Sequence, residues 1–183
     1  HAVEVSNCTV SLHLALLVSS VKPGLEVFTV SHSFIATANA IRHCGALPVF
    51  VDIRLDDLNM DPALIEAAIT PKTGAIMLVH QLGMPARSAE VAAIAKRHGL
   101  PLVEDAACAA GSETLDGNQW RRIGAPFDKL SCFSLHPRKL LSTGDGGMIT
   151  TDDSDLAARL RLLRQHGMSV NDQQRHQSQQ VVF

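Results

Sequence analysis

Apolar residues return along this chain in two alternating rhythms. Short runs rich in β-branched and apolar residues read as strands over 26–30, 48–53, 75–80, 101–104, 130–134 and 147–151. Between them, Leu, Ile and Ala recur every three or four residues, predicting helices over 9–19, 34–43, 62–68, 88–98 and 154–166. Asp61-Pro62 supplies a cap and then proline at the first helical position, while Gly99 stops the fourth helix after its basic Lys96-Arg97-His98 turn. Strands that alternate with helices predict an α/β fold: three layers, α/β/α, around a mostly parallel sheet covered on both faces. The stretch 113–127 has no clear period and reads as a long loop, with a hairpin around Asp116-Gly117. Beyond Gly167 the chain turns polar and Gln-rich until Val181-Val182-Phe183, which reads as the entry to a strand.

Composition narrows the function classes. The chain has 183 residues, 46% of them apolar, which suits one domain with a substantial core. Its 16 Lys and Arg against 18 Asp and Glu leave a formal net charge of −2. A protein that grips nucleic acid by neutralising phosphates carries a basic excess, so no nucleic-acid partner is expected. The apolar runs fall far short of the roughly 20 residues that span a bilayer, so no membrane partner is expected. Four cysteines, Cys8, Cys44, Cys108 and Cys132, stand singly and read as reduced thiols of a cytoplasmic protein. The nine histidines show no ligand spacing with them, so no metal site is expected.

In an open parallel sheet, ligands bind beyond the carboxyl ends of the strands. Four places there carry chemistry. Glu104-Asp105-Ala106-Ala107 delivers two carboxylates from an apolar strand, and Phe133-Ser134-Leu135-His136-Pro137-Arg138-Lys139 ends a strand in hydroxyl, imidazole and ammonium groups. Ser6-Asn7-Cys8-Thr9-Val10 opens an apolar helix whose N-terminal N–H groups suit a phosphate, and Ser31-His32-Ser33-Phe34 follows the 26–30 strand with an aromatic. Taken singly, each has an ordinary reading: a turn aspartate, a solvated lysine, an N-cap, a core phenylalanine. The glycines near 144–147 match neither a dinucleotide fingerprint nor a P-loop. Together, a phosphate seat, a flat aromatic, a carboxylate and a lysine are the parts that hold pyridoxal 5′-phosphate.

The stretches SNCTVSLHLALL, SFIATANAI, PVFVDI, DPALIEAAITPKT, VHQLGMP, GLPLVEDAACAAGS and FSLHPRKLLSTGDGGMITT run in order from Ser6 to about Met168. They resemble the sugar aminotransferases of the DegT/DnrJ/EryC1/StrS family, pyridoxal-phosphate enzymes of fold type I. The resemblance implies that residues 1–168 are part of the large, cofactor-binding domain and that 169–183 begin a connection to a C-terminal small domain absent from this sequence. A further N-terminal segment is implied as well. Lys139 is then the Schiff-base lysine, Asp105 the partner of the ring nitrogen and Phe34 the residue stacked on the ring. Thr9, the Val10 amide and Ser134 hold the phosphate, and Cys108 lies near the phenolic oxygen. The resemblance also implies L-glutamate and a nucleotide-linked keto sugar as substrates, ping-pong order and a homodimer.

Four positions depart from the family pattern: Cys8 where Gly is common, Cys108 where Gln or His is usual, Leu140 where Asn often follows the lysine, and Asp145 where Glu is frequent. Some relatives carry His at the lysine position and dehydrate sugars instead; Lys139 argues against that branch, and His136 does not occupy the matching position. Two other readings stay open: a catalytically silent large-domain fragment, and another fold type I enzyme such as a desulfurase.

Overall fold

A computed structural model of the chain describes residues 1–170 and 176–177. The expected strand at 181–183 and most of the 169–183 connection lie outside those residues.

The chain begins with a strand, β1 (Ala2–Val5), that the sequence pattern did not reveal, and enters helix α1 (Cys8–Val18). Then follow β2 (Glu26–Thr29), α2 (Ile35–His43), β3 (Leu47–Phe50), α3 (Pro62–Ala68), β4 (Thr73–Val79), α4 (Ser88–Arg97) and β5 (Leu102–Asp105). A hairpin of β6 (Glu113–Asp116) and β7 (Gln119–Arg122) precedes β8 (Leu130–Ser134), β9 (Gly147–Thr150) and α5 (Ser154–Leu163). Most of the long loop expected over 113–127 is therefore this hairpin, turning at Gly117 with φ of 60°. The third strand stops at Phe50, short of Ile53, which makes only an isolated bridge to Met60. The last helix stops at Leu163, three residues before His166, which with Gly167 takes a left-handed backbone.

Among the described residues, seven strands form one sheet in the order β1-β9-β8-β5-β4-β2-β3. The pairs β2–β3, β2–β4, β4–β5 and β5–β8 are parallel, while β9 runs antiparallel to both β8 and β1. A parallel crossover needs about a dozen or more residues, usually with a helix; the helix-free loop after Ser134 brings β9 back antiparallel instead. Every other strand in the sheet points the same way.

The side-chain period of two splits β4 between two cores. Ala75 and Met77 pack with Leu12, Leu16, Ile41 and Leu160, from α1, α2 and α5, on one face. Ile76 and Leu78 pack with Ile65, Val91 and Ile94, from α3 and α4, on the other. The result is the expected three-layer α/β/α arrangement.

Gly147 sets how close α1 can come to this sheet. A Cβ there would stand 2.5 Å from the Asn7 carbonyl carbon and 2.7 Å from Ser11 Oγ, so only glycine lets the start of α1 rest on β9.

Candidate active site

Because all strands but β9 share a direction, their carboxyl ends meet at one edge of the sheet, where a cavity of about 460 Å³ opens. β1 leads into Asn7, Cys8 and Thr9; β2 into Ser33 and Phe34; β4 into His80 and Gln81. β5 supplies Asp105, Ala107 and Cys108, and β8 supplies Ser134, His136, Arg138 and Lys139. Thr9, Phe34, Asp105, Cys108, Ser134 and Lys139, singled out from the sequence, all line this one cavity.

Val10 does not line it, and its N–H already donates to the Asn7 side chain at 3.0 Å. The reason is local. A helix leaves its first N–H groups without intrahelical partners, and Asn7, an extended N-cap, satisfies Val10's. The N–H groups of Cys8 and Thr9 belong to the same unpaired set and face the cavity end of α1.

Asp105 ends β5 and is 5% exposed. One carboxylate oxygen accepts the Thr37 hydroxyl at 2.8 Å, the other the Ala107 N–H at 3.1 Å. Ser33 and Thr37 hydroxyls lie 2.7 Å apart, extending the chain of hydrogen bonds. Burial pushes the Asp105 carboxyl above its ordinary range, opposed by these two donors and by the positive charge of Lys139. A buried carboxylate with few donors favours any cationic or N–H group that the cavity receives beside it.

Lys139 sits in the turn after β8, half-buried, with Nζ donating to Cys108 Sγ at 3.0 Å. Cys108 itself is exposed. The position that departs from the family pattern thus touches the lysine directly. Ser134, buried at the end of β8, accepts a weak 3.4 Å bond from the His136 N–H and keeps its own hydroxyl hydrogen available. Phe34 stands at the N-cap position of α2 and is 70% exposed at the rim of the cavity.

Two groups that the sequence did not single out complete the floor. Thr37 is buried on the first turn of α2, placed by the helical spacing of SFIATANAI. His80 follows β4 and is 1% exposed. Its Nδ1 accepts the Ala86 N–H at 3.1 Å, which puts the ring proton on Nε2, 3.4 Å from Glu104 Oε1. That spacing is long for a hydrogen bond, yet neither atom has another partner among the described residues. Glu104 Oε2 accepts the Ser131 hydroxyl at 2.6 Å and, more weakly, the Phe127 N–H at 3.4 Å. Burial raises the Glu104 carboxyl, but the His80, Ser131 and Ser88 side chains together outweigh it and hold the group below its usual range. The rule that strand ends carry the chemistry would have found His80; Thr37 needed the fold.

Residues 1–182 match the DegT/DnrJ/EryC1/StrS aminotransferase family. The chain belongs to this family. Among curated members it is 44% identical over 171 residues to the GDP-perosamine synthase of Caulobacter vibrioides, covering 93% of this chain and 45% of that one. The solved structure of DesI in the presence of its TDP-sugar product superposes with a TM-score of 0.84 at 39% identity, over 93% of this chain and 42% of that one. NtdA from Bacillus subtilis, solved with bound cofactor PMP, superposes at 0.85 and 30% identity, over 100% and 39%. The chain spans less than half the length of each. The fold is thus that of fold type I pyridoxal-phosphate aminotransferases, matched over less than half of each. Among the described residues, no helix is long and apolar enough to cross a membrane.

Proposed function

We propose that residues 1–168 form the pyridoxal-phosphate-binding large domain of a homodimeric aminotransferase that moves an amino group from L-glutamate to a nucleotide-linked keto sugar in ping-pong order. The observation that carries this reading is the pairing of Lys139 and a buried, under-donated Asp105 on the walls of one cavity, with the start of α1 beside them. The GDP- and TDP-linked compounds named for two relatives and the PMP of a third support the substrate and cofactor classes.

When bound, pyridoxal phosphate supplies an electron sink that stabilises negative charge on the carbon next to the transferred nitrogen. The residues divide the remaining work. Lys139 Nζ would hold the cofactor and, as an amine on the cavity wall, would be the base and acid that takes and returns the proton. Asp105 would keep a proton on the ring nitrogen, because an opposite charge in a partly dry site favours the cationic form. The Thr9 hydroxyl, the Cys8 and Thr9 N–H groups and the Ser134 hydroxyl would hold the phosphate at the positive end of α1. Val10's N–H can join them only if it leaves the Asn7 side chain. Phe34, exposed at the rim, would pack against the ring.

The test begins with visible absorbance when the chain is mixed with pyridoxal phosphate, followed by borohydride reduction and peptide mapping. Expected is a new visible band and a label on Lys139, both lost in Lys139→Ala. Labelling spread over other lysines, or a band that survives the substitution, would overturn the assignment. L-glutamate should then bleach the band. A chain that takes the cofactor at Lys139 but leaves glutamate untouched would favour the reading as a cofactor-binding part that lacks the substrate side, consistent with its coverage of under half of each relative.

A further inference from the structure

Lys139 and Cys108 come from different strand ends, 31 positions apart in sequence, yet their nucleophilic atoms touch at 3.0 Å on the wall of an open cavity. Neither is held by a fully dry environment: Cys108 is exposed and Lys139 half-buried. The other three cysteines are buried, and burial pushes the thiols of Cys8 and Cys132 far up and that of Cys44 up to about 11. Oxidants attack the thiolate of an accessible sulfur, so Cys108 is the one cysteine of the four placed to react first. An oxidised sulfur with a nitrogen at contact distance condenses with it, as sulfenic acids do with backbone nitrogen. Here the nitrogen at contact distance is the amine assigned to the cofactor.

We propose that Cys108 and Lys139 form an oxidant-sensitive covalent pair: a peroxide joins Sγ to Nζ through a sulfur–nitrogen bond and thereby masks the lysine. In the first step Cys108 thiol and hydrogen peroxide give the sulfenic acid and water; sulfur loses two electrons and the peroxide O–O bond breaks. In the second, the neutral Lys139 amine attacks that sulfur, the S–O bond breaks, and hydroxide leaves with the amine's proton as a second water. A thiol reductant reverses the link by attacking sulfur and returning the amine. The flexible four-carbon stem of lysine lets Nζ close the remaining gap. Gln or His at position 108 could not form such a bond, so the device is a property of this chain's departure from the family pattern.

The link needs no cofactor, so its test stands apart from the reading of Lys139 above. The purified chain is treated with equimolar hydrogen peroxide and mapped by tryptic mass spectrometry. The expected product joins the Cys108 and Lys139 peptides, is two hydrogens lighter than their sum, and disappears with dithiothreitol and in Cys108→Ser. Amine labelling at Lys139 should fall in step with its formation and recover on reduction. Cys108 oxidised with Lys139 still fully labelled would overturn the proposal; so would a Cys8–Cys108 disulfide as the product of equal mass loss, or the same product in Lys139→Met. A parallel sample holds excess pyridoxal phosphate during oxidation. Protection there supports both readings; formation of the link at an unchanged rate would leave the cross-link standing and overturn the assignment of Lys139 to the cofactor.

Discussion

Replacing Glu104 by Gln removes one charge and one acceptor from a place that has use for both. The carboxylate faces donors on two sides: the His80 Nε2–H toward Oε1, the Ser131 hydroxyl and Phe127 N–H toward Oε2. An amide has a single accepting oxygen. Turned toward His80, it sets its NH₂ against the Phe127 N–H and forces the Ser131 hydroxyl to reverse; turned the other way, it sets NH₂ against Nε2–H. Either way a buried donor loses its acceptor, at about 1–3 kcal/mol. Against a typical domain stability of about 5–15 kcal/mol, that loss is large enough to see in urea unfolding at pH 7, with an unchanged slope.

The pH dependence gives a second reading of the same substitution. Glu104's folded-state pKa is held below its ordinary value, so its contribution is present above that value and fades as pH falls through the lowered one. Asp105 has the opposite sign: its raised carboxyl makes the cofactor-free fold lose stability as pH rises through the raised range. The difference between wild type and Glu104→Gln isolates the first effect, and it should shrink on acidification from pH 7 through the lowered range. A loss below about 0.5 kcal/mol at pH 7, or a difference independent of pH, would refute the account of the buried His80–Glu104 contact.

Asp105→Asn removes a charged acceptor and should weaken pyridoxal-phosphate retention about tenfold or more, read by equilibrium dialysis, while making the cofactor-free chain less sensitive to rising pH. Asn7→Ala removes the cap on Val10 and should cost about 1 kcal/mol in urea unfolding. The same change frees the Val10 N–H, so cofactor affinity should fall by less than the stability does; a proportionate fall would show that Asn7 itself meets the ligand. Gly147→Ala drives a Cβ into the Asn7 carbonyl and should cost about 1–3 kcal/mol and displace the start of α1, read by unfolding and by loss of cofactor binding.

Local chemistry made much of this protein legible in one dimension. The helix and strand rhythms of 26–104 are imposed by burial on two faces, and the caps at Asp61 and Gly99 act within a few bonds of where they are written. The motif around Lys139 and the carboxylate at 105 announced themselves because the ends of apolar strands are where an α/β sheet places polar groups. Strand β1 did not, because Ala2–Val5 is a four-residue run whose strand partner among the described residues, β9, is far along the chain. The reversed direction of β9 also depends on a pairing that no window of sequence contains. Tertiary structure alone decided that Thr37 donates to Asp105, that His80 faces Glu104, that the Asn7 side chain accepts the Val10 N–H, and that Lys139 touches Cys108. Periodicity reports which way a side chain faces; which atom it meets there is fixed only when separate strand ends are brought to a common edge.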